Sequence, residues 1–384
     1  MITTQTADSV LKSYYLNVVS EQLDKTVNPF LACIRKTTSD VWGRDVRKAV
    51  RYGVNGGIGA GTEDGELPKA LSSGYAQFVA PLKNLYGTIE ISDKAIRASQ
   101  SNEGAFVDLL NDEMDSLIRS STFNFSRMLF GDGSGLLATI SAAPTPDSGI
   151  YNVDSTINLA EGMVVDIYTG KTLDTAGAVI ATVDRSSKKI TFTGDVGDAT
   201  QSDTLYIQNS RDLEITGLKA VFEADELYGI EREGKSWLTP YKKTLFGDMT
   251  EEKLQEAIDS VEEYGGGKIN FIVCSRGVRR KLISALSAYR KTDSIDLEGG
   301  YRALSFNGIP VVADRFCPKG TMYLLNTDDF GLHQLCDWQW LEGEDGKILK
   351  QIPGKPVYTA TLVKYAELMC YRPVGQGMLA NITE

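Results

Sequence analysis

The sequence predicts an α+β fold with a small all-β domain inserted in it, and three segments support this prediction. Residues 102–130 have the apolar spacing of one long amphipathic helix. Residues 150–210 lose the helix signals and carry short β-rich runs separated by turns. From residue 250 onward, helical and strand-like segments alternate. The 384 residues are enough for two or three globular units.

The first ninety residues predict a helix and then a long hairpin. An apolar stripe over 7–25 indicates a helix, which Asn28-Pro29 stops. Strand-like residues enter the hairpin at 44–52, a glycine-rich tip spans 53–65, and strand-like residues leave at 75–91. An isolated two-stranded ribbon is at best marginally stable in water, so we expect this one to lean on another chain.

Charge is divided between the two ends of this hairpin. The entering arm is basic and the tip is acidic, through Arg44, Arg47, Lys48 and Arg51 on the arm and Glu63, Asp64 and Glu66 at the tip. Opposite charges placed in this way can pair head to tail between copies of the chain. The alternative is a solvated flexible loop that has no partner.

The segment 102–130 predicts a single helix. Ser101 or Asn102 is a suitable N-cap, acidic residues crowd the first half, and Gly131 ends the helix. Its length of roughly 40 Å suits a spine that bridges subdomains. After it, residues 150–210 predict a compact barrel or sandwich.

Beyond residue 250 the pattern is α/β. Thr250 is expected to cap a helix that runs to about Tyr264, and Gly265-Gly-Gly267 breaks it. A buried strand at 268–274 and a second helix at 275–291 follow. Further strands are predicted at 309–313, 321–325 and 357–371.

Composition argues against several classes of function. The chain has 40 basic and 51 acidic side chains and a net charge of −11, so it is poorly suited to gripping DNA over its whole surface or to adhering to anionic membranes. No apolar run reaches the roughly 18 residues that span a bilayer, and the N-terminus lacks the pattern of a signal peptide.

We predict no catalytic, cofactor-binding or metal site. His333 is the one histidine, and its strand-like surroundings favour a structural or surface role. Gly265-Gly-Gly-Lys268 lacks the first glycine and the final Ser or Thr of a phosphate loop. The five cysteines are odd in number and far apart, which favours buried thiols in a reducing cytoplasm: Cys33, Cys274, Cys317, Cys336 and Cys370.

The second helix of the α/β part is basic. It carries Arg276, Arg279, Arg280, Lys281, Arg290 and Lys291 without an acidic residue among them. This helix can face packaged nucleic acid or an acidic neighbour. An equally good interpretation is a solvated face beside the acidic helix at 251–263.

The stretch 306–330, with its two apolar runs and the turns at Asn307-Gly308, Pro318 and Gly320, closely resembles a segment of the tailed-bacteriophage major capsid proteins with the Hong Kong phage coat fold. The resemblance extends over nearly the whole chain outside 150–210. It includes Tyr86-Gly-Thr-Ile-Glu-Ile-Ser-Asp93, Leu129-Phe-Gly-Asp-Gly-Ser-Gly135, Leu213-Glu-Ile-Thr-Gly-Leu218 and Ala366-Glu-Leu-Met-Cys-Tyr-Arg-Pro-Val-Gly-Gln-Gly377.

The resemblance implies a division of the chain. Residues 1–40 would be an N-terminal arm and 41–85 an extended loop that lies over an adjacent subunit. The peripheral domain would comprise 86–149 with the spine helix, 211–245 and the C-terminal strand at 346–384. Residues 246–345 would be the axial domain, and 150–210 a β-rich insertion outside the common core.

The resemblance also implies sites of assembly. The axial-domain tip, which crowds the five-fold and six-fold axes, is expected around Thr292, Asp293, Asp296, Glu298, Gly299 and Gly300. Some members of the family join a Lys of the extended loop covalently to an Asn of a neighbour, and Lys69 lies in the corresponding region. The chain starts almost directly at the arm, which implies a separate scaffolding protein or none.

The function implied is self-assembly through pentamers and hexamers into the icosahedral head shell of a tailed bacteriophage, around its double-stranded DNA. The expected partners are other copies, portal, scaffolding or decoration proteins and weakly bound DNA, in the virion after assembly in the host bacterial cytoplasm. Two alternatives remain open: an encapsulin-like nanocompartment shell protein, and an α/β enzyme built on residues 250–330.

Overall fold

The computed structural model describes residues 28–94, 103–142, 149–194, 196, 199–244, 248–287, 294–297, 301–343 and 346–384. The helix predicted over 7–25 lies outside these residues. The described helices are α1 Pro29–Cys33, α2 Glu103–Met128, α3 Leu218–Glu223, α4 Glu251–Gly265 and α5 Arg276–Ser287. The described strands are β1 Arg35–Thr37, β2 Asp45–Tyr52, β3 Gly74–Pro81, β4 Lys83–Ser92, β5 Leu136–Ala142, β6 Ile150–Val153, β7 Val164–Thr169, β8 Thr172–Asp184, β9 Lys189–Phe192, β10 Thr204–Ile207, β11 Glu226–Leu227, β12 Ile230–Glu231, β13 Tyr241–Thr244, β14 Phe271–Cys274, β15 Ser294–Leu297, β16 Tyr301–Phe306, β17 Ile309–Ala313, β18 Met322–Leu325, β19 Phe330–Trp340, β20 Lys350–Gln351, β21 Val357–Cys370 and β22 Gly377–Ala380.

The long helix α2 confirms the helix predicted over 102–130. From its middle to its C-terminal end, the helix buries Met114, Ile118 and Phe125 in the largest hydrophobic core. The helix closes as expected, since the Gly131 N–H donates to the Met128 carbonyl at 3.0 Å. With 26 residues it is about 39 Å long. In chain order, this long helix stands between strand β4 and strand β5.

A five-stranded sheet lies against α2 and contains β21 at its centre. The strand order is β1–β19–β21–β20, and β4 pairs with β21 as well. Strand β21 confirms the strand predicted over 357–371. Its C-terminal half is buried on both faces: Leu368 lies in the α2 core, and its neighbour Met369 lies in a second cluster on the opposite side.

A seven-stranded sheet forms the other α/β part of the chain, in the order β13–β22–β18–β14–β17–β16–β15. The predicted strands at 309–313 and 321–325 flank β14, one parallel to it and the other antiparallel. The turn at Asn307-Gly308 joins β16 to β17 with positive φ at both residues, as a two-residue hairpin requires. Helices α4 and α5 cover this sheet through Leu254 and Leu282.

The triple glycine after α4 has a packing role. Thr250 caps the helix as predicted, accepting the Lys253 N–H at 3.3 Å, and Gly266 ends it in the left-handed region with φ 60°. A Cβ on Gly265 would lie 2.6 Å from the Val374 carbonyl oxygen. The glycines therefore end the helix, as predicted, and they also let two backbones approach closely, which was not predicted.

Six strands close into a barrel in the order β10–β5–β6–β9–β8–β7. Its interior is filled by aliphatic side chains that include Val165, Ile167, Ile180 and Leu205. The barrel takes in β5, which lies upstream of the predicted start at residue 150. Periodicity alone does not assign a short apolar run of this kind. That the barrel is an insertion into a common core stays a prediction.

The predicted hairpin is present as a shorter ribbon. Strands β2 and β3 pair antiparallel from Asp45 opposite Pro81 to Tyr52 opposite Gly74, whereas β4 joins the central sheet. In the paired part of the ribbon, which we call its base, Phe78 packs with Tyr228 and Trp237 at ring-centroid distances of 5.2 and 6.2 Å. The base therefore has support within its own chain, which the sequence did not predict.

Candidate assembly surface

The segment between β2 and β3, residues 53–73, is the candidate assembly surface, and we call it the ribbon loop. It contains no strand and projects from the supported base of the ribbon. Three of its aliphatic side chains are almost fully exposed: Val54 at 82%, Ile58 at 80% and Leu67 at 89%. Large apolar side chains that are exposed together are typical of a surface that another molecule covers.

The basic arm of the ribbon is partly neutralised within the chain. Arg47 pairs with Asp45 at 3.0 Å, and the hydrogen bond from Arg47 lowers the pKa of that carboxyl. Lys48 pairs with Asp40 at 2.5 Å and lies 5.7 Å from the Tyr371 ring centroid. Arg44 and Arg51 are exposed. Only these last two remain suited to meeting an acidic group of another molecule.

The acidic tip carries Glu63, Asp64 and Glu66, all of them exposed, as is Lys69 farther along. A turn at its centre is closed by the Gly65 N–H, which donates to the Thr62 carbonyl at 3.1 Å. Within the part of the chain that the structure describes, no ion pair joins this tip to the basic arm. Pairing between copies stays a prediction.

The predicted axial-domain tip falls mostly outside the described residues: Thr292, Asp293, Glu298, Gly299 and Gly300. Asp296 is described in β15, opposite Arg302 of β16. These two strands form the edge of the seven-stranded sheet. In the sequence, residues 298–300 thus stand between two described strands at this edge of the sheet.

The basic helix α5 forms one ion pair among the described residues, between Lys281 and Asp248 at 3.2 Å. Arg276 and Arg280 are exposed, and Arg279 is half-buried. Arg290 and Lys291 lie outside the described residues. That this helix faces nucleic acid or an acidic neighbour stays a prediction.

No protein-family model and no curated protein matches the sequence. The structure, however, is similar to a chain of the cyanophage A-1(L) capsid, with a TM-score of 0.56 at 11% identity over 94% of both chains. The chain has the Hong Kong phage coat fold. The same fold likeness extends to the SrpI encapsulin of Synechococcus elongatus, with a TM-score of 0.50 at 11% identity over 93% of this chain and 89% of that chain.

Within this coat fold, two buried cations are features that the sequence analysis missed. Arg127, near the end of α2, donates to Glu214, and its guanidinium also donates to Asn124 at 2.7 and 3.2 Å. Lys364 is buried in β21. For Lys364, the available sequence signal was a lysine within a largely apolar strand, since a buried charge requires a partner.

His333 is buried in β19 of the coat fold. Its Nδ1–H donates to the Ser39 carbonyl at 2.9 Å, and Nε2 accepts the Tyr371 hydroxyl at 2.9 Å. Burial lowers the pKa of the imidazole, which keeps the ring neutral. The ring fixes the segment after β1 to the central sheet, so its role is structural, one of the two roles predicted.

Glu367 lies opposite His333 on β21 and is fully buried. One carboxyl oxygen accepts the Thr216 N–H at 2.7 Å. Burial raises the pKa of this carboxyl to about 7. The central sheet therefore contains a carboxyl group that titrates near neutral pH.

Among the described residues, no group of three or more His, Cys, Asp or Glu side chains is placed to hold a metal ion. None of the described helices combines the length and the apolar character needed to cross a bilayer. All five cysteines lie among the described residues, and none of them forms a disulfide bond.

Proposed function

We propose that this chain is a major capsid protein that self-assembles through pentamers and hexamers into the icosahedral head of a tailed bacteriophage, around double-stranded DNA. The observation that carries the proposal is the fold likeness to the cyanophage capsid chain over 94% of both chains. Subunits of such a shell act by contact, and many modest contacts repeated by symmetry give a stable closed object.

The ribbon loop supports this proposal physically. Its base is fixed by the buried aromatic contacts of Phe78, while Ile58 and Leu67 are exposed beyond it. A subunit that remained alone would leave these side chains in water. In the shell, the loop lies over an adjacent subunit and becomes covered.

The domain roles follow from the same proposal. Residues 246–345 act as the axial domain, with the tip around 292–300 at the symmetry axes. The spine helix, residues 211–245 and the C-terminal strand β21 act as the peripheral domain. The other partners are portal, scaffolding and decoration proteins and, weakly, the packaged DNA. The protein resides in the virion and has no catalytic role.

Electron microscopy of the purified chain after a sizing column tests the proposal. Uniform shells or capsomer rings are expected. A sharper variant replaces residues 53–73 by Asn-Gly, which closes the ribbon between Tyr52 and Gly74 as a two-residue hairpin. This variant should remain a folded subunit and form no closed shells.

A matched control places the same Asn-Gly at Gly170-Lys171, the turn between β7 and β8 of the barrel. Shells should form normally from the control. Closed shells from the shortened ribbon would contradict the proposed role of the loop. A monodisperse monomer under all conditions, including co-expression with the neighbouring genes, would contradict the proposed function.

An encapsulin-like compartment is the second candidate, because the encapsulin of Synechococcus elongatus shares the fold. Particles purified from the native source separate the two. A phage head contains double-stranded DNA, whereas an enzyme cargo inside the shell would favour the compartment.

A further inference from the structure

We propose that a basic cleft beside the barrel receives the acidic tip of the ribbon loop of a neighbouring copy. The inference rests on the proposed function, since it requires copies of the chain to meet. The cleft has a volume of about 840 Å³ and lies where the barrel, α2 and the seven-stranded sheet come together.

Three separate parts of the chain supply the cations of this cleft that form no ion pair among the described residues. Arg185 and Lys188 come from the turn between β8 and β9 of the barrel. Arg276 is the first residue of α5, and Arg315 and Lys319 come from the connection between β17 and β18. Because these positions are far apart in sequence, the charge cluster is a product of the fold.

The lining is unevenly neutralised. Two further basic residues of the cleft have acidic partners: Arg127 pairs with Glu214, and Lys219 pairs with Asp132 at 2.8 Å. Among the described residues, Arg185, Arg276 and Arg315 form no ion pair, and the same holds for Lys319. Asp154 also lines the cleft, and seven basic against two acidic lining residues leave an excess of positive charge there, on a chain whose net charge is −11.

Arg315 is held in a fixed position. Its guanidinium lies 5.0 Å from the Phe123 ring centroid and 5.6 Å from that of Phe316, and it donates to the Ile157 carbonyl at 3.4 Å. Burial lowers its pKa, and the charges of Arg185 and Arg276 lower it further. A carboxylate in the cleft would relieve this repulsion and accept a paired hydrogen bond.

The acidic tip has the chemistry that matches the cleft. Glu63, Asp64 and Glu66 supply three carboxylates, and Leu67 supplies an exposed aliphatic side chain beside them. The cleft wall offers Phe316 and other apolar side chains next to its cations. A nucleic-acid backbone would match the cations alone, and the net negative charge of the chain would repel it.

Charge-reversal substitutions in the full chain, under conditions in which it assembles, test the inference. Arg276→Glu with Lys319→Glu changes two exposed side chains, so folding should be retained. This variant, and separately Glu63→Lys with Asp64→Lys, should each reduce the yield of closed shells at least tenfold. Combining all four substitutions in one chain should restore the yield of closed shells. Lys171→Glu, on an exposed barrel turn outside the cleft lining, should assemble normally.

A binding measurement separates this inference from the proposed function. A labelled peptide of residues 53–73 should bind the ribbon-shortened chain, which does not assemble, and salt should weaken the binding. The peptide with Glu63→Lys and Asp64→Lys should bind this chain at least tenfold more weakly. The native peptide should likewise bind at least tenfold more weakly to a ribbon-shortened chain that carries Arg276→Glu and Lys319→Glu.

Three results would overturn the inference while leaving the capsid function intact. These are normal shells from either reversed variant, no rescue in the combined variant, or a cleft that binds a short DNA duplex but not the peptide. A native chain that stays monomeric under all conditions, including co-expression with the neighbouring genes, but binds the peptide specifically would contradict the proposed function and leave the cleft assignment standing.

Discussion

Lys364 and Asp337 form an ion pair across strands β21 and β19, with 2.5 Å between Nζ and Oδ1 and a lysine side chain that is only 1% exposed. The same Nζ donates to Gln334 at 3.0 Å and lies 5.3 Å from the ring centroid of Phe125 on α2. From the strand on the other edge of β19, Lys36 of β1 reaches Asp337 at 3.3 Å. One carboxylate thus links the N-terminal strand, the centre of the sheet and the spine helix.

Removing this carboxylate should destabilise the subunit strongly. Asp337→Ala leaves Lys364 buried without its counter-charge, and we expect a loss of about 3–5 kcal/mol in the free energy of unfolding. Chemical denaturation of the unassembled subunit measures it. Lys36→Met, which removes the half-exposed partner, should lose about 1 kcal/mol or less. Equal losses in the two variants would contradict this account of the pair.

Gly217 should not tolerate a side chain. It precedes α3 with φ −85°, which any residue can adopt, so the constraint is steric. A Cβ there would contact the Met128 carbonyl and lie 2.6 Å from the Gly131 carbonyl oxygen, both backbone atoms at the end of α2. Gly217→Ala should therefore lower the stability by about 1–3 kcal/mol in thermal unfolding.

Gly61→Ala is the matched control for this substitution, because its Cβ would meet nothing closer than 3.9 Å in the ribbon loop. Its melting temperature should be that of the native chain. Similar destabilisation at both positions would argue against a steric cause at Gly217.

The stability of the subunit should depend on pH through Glu367. Its pKa rises from 4.5 in the unfolded chain to about 7 in the folded one, so the folded state holds the proton more tightly. The contribution is fully present below pH 4.5 and is lost as the pH rises to about 7, an effect of about 3 kcal/mol. Glu367→Gln should remove this slope from the pH dependence of unfolding.

Other groups titrate in neighbouring windows, so the difference between the variant and the native chain is the quantity to measure. Burial raises the pKa of Asp314 to about 6, which adds a slope of the same sign. Burial lowers the pKa of His333 from 6.5, which gives the opposite sign. Unchanged pH dependence in Glu367→Gln would show that this carboxyl is not the source.

The exposed aliphatic side chains of the ribbon loop should matter for assembly and not for subunit stability. Leu67→Ser should leave the unfolding free energy within about 0.5 kcal/mol, since the residue is 89% exposed. The yield of closed shells, measured by sizing and microscopy, should fall. Leu173→Ser, an exposed barrel position, serves as the control and should assemble normally.

Local signals explain what could be predicted from the sequence. The spine helix, the Thr250 cap, the stop at the triple glycine and the turn at Asn307-Gly308 each depend on residues close together in the chain. The path of β4 into the central sheet depends on β21, nearly three hundred residues away along the chain, and no local pattern carries that information.

The same reasoning applies to the candidate site. The charges of the ribbon were visible in the sequence, but the pairing of Arg47 and Lys48 with nearby aspartates was not predicted. The basic cleft was not predicted either, because Arg185 and Arg315 meet only after the barrel has closed against the α/β sheet. Burial of Lys364 and Glu367 likewise requires the three-dimensional arrangement.

The barrel's first and last strands are neighbours, since Thr204 of β10 pairs with Thr139 of β5 and Tyr206 pairs with Leu136. The chain therefore leaves and rejoins the rest of the subunit at almost the same place. A unit attached in this way is a natural graft site. Replacing the barrel by a foreign domain whose ends lie equally close would attach that domain to every copy without changing the distance between the two attachment points in the subunit.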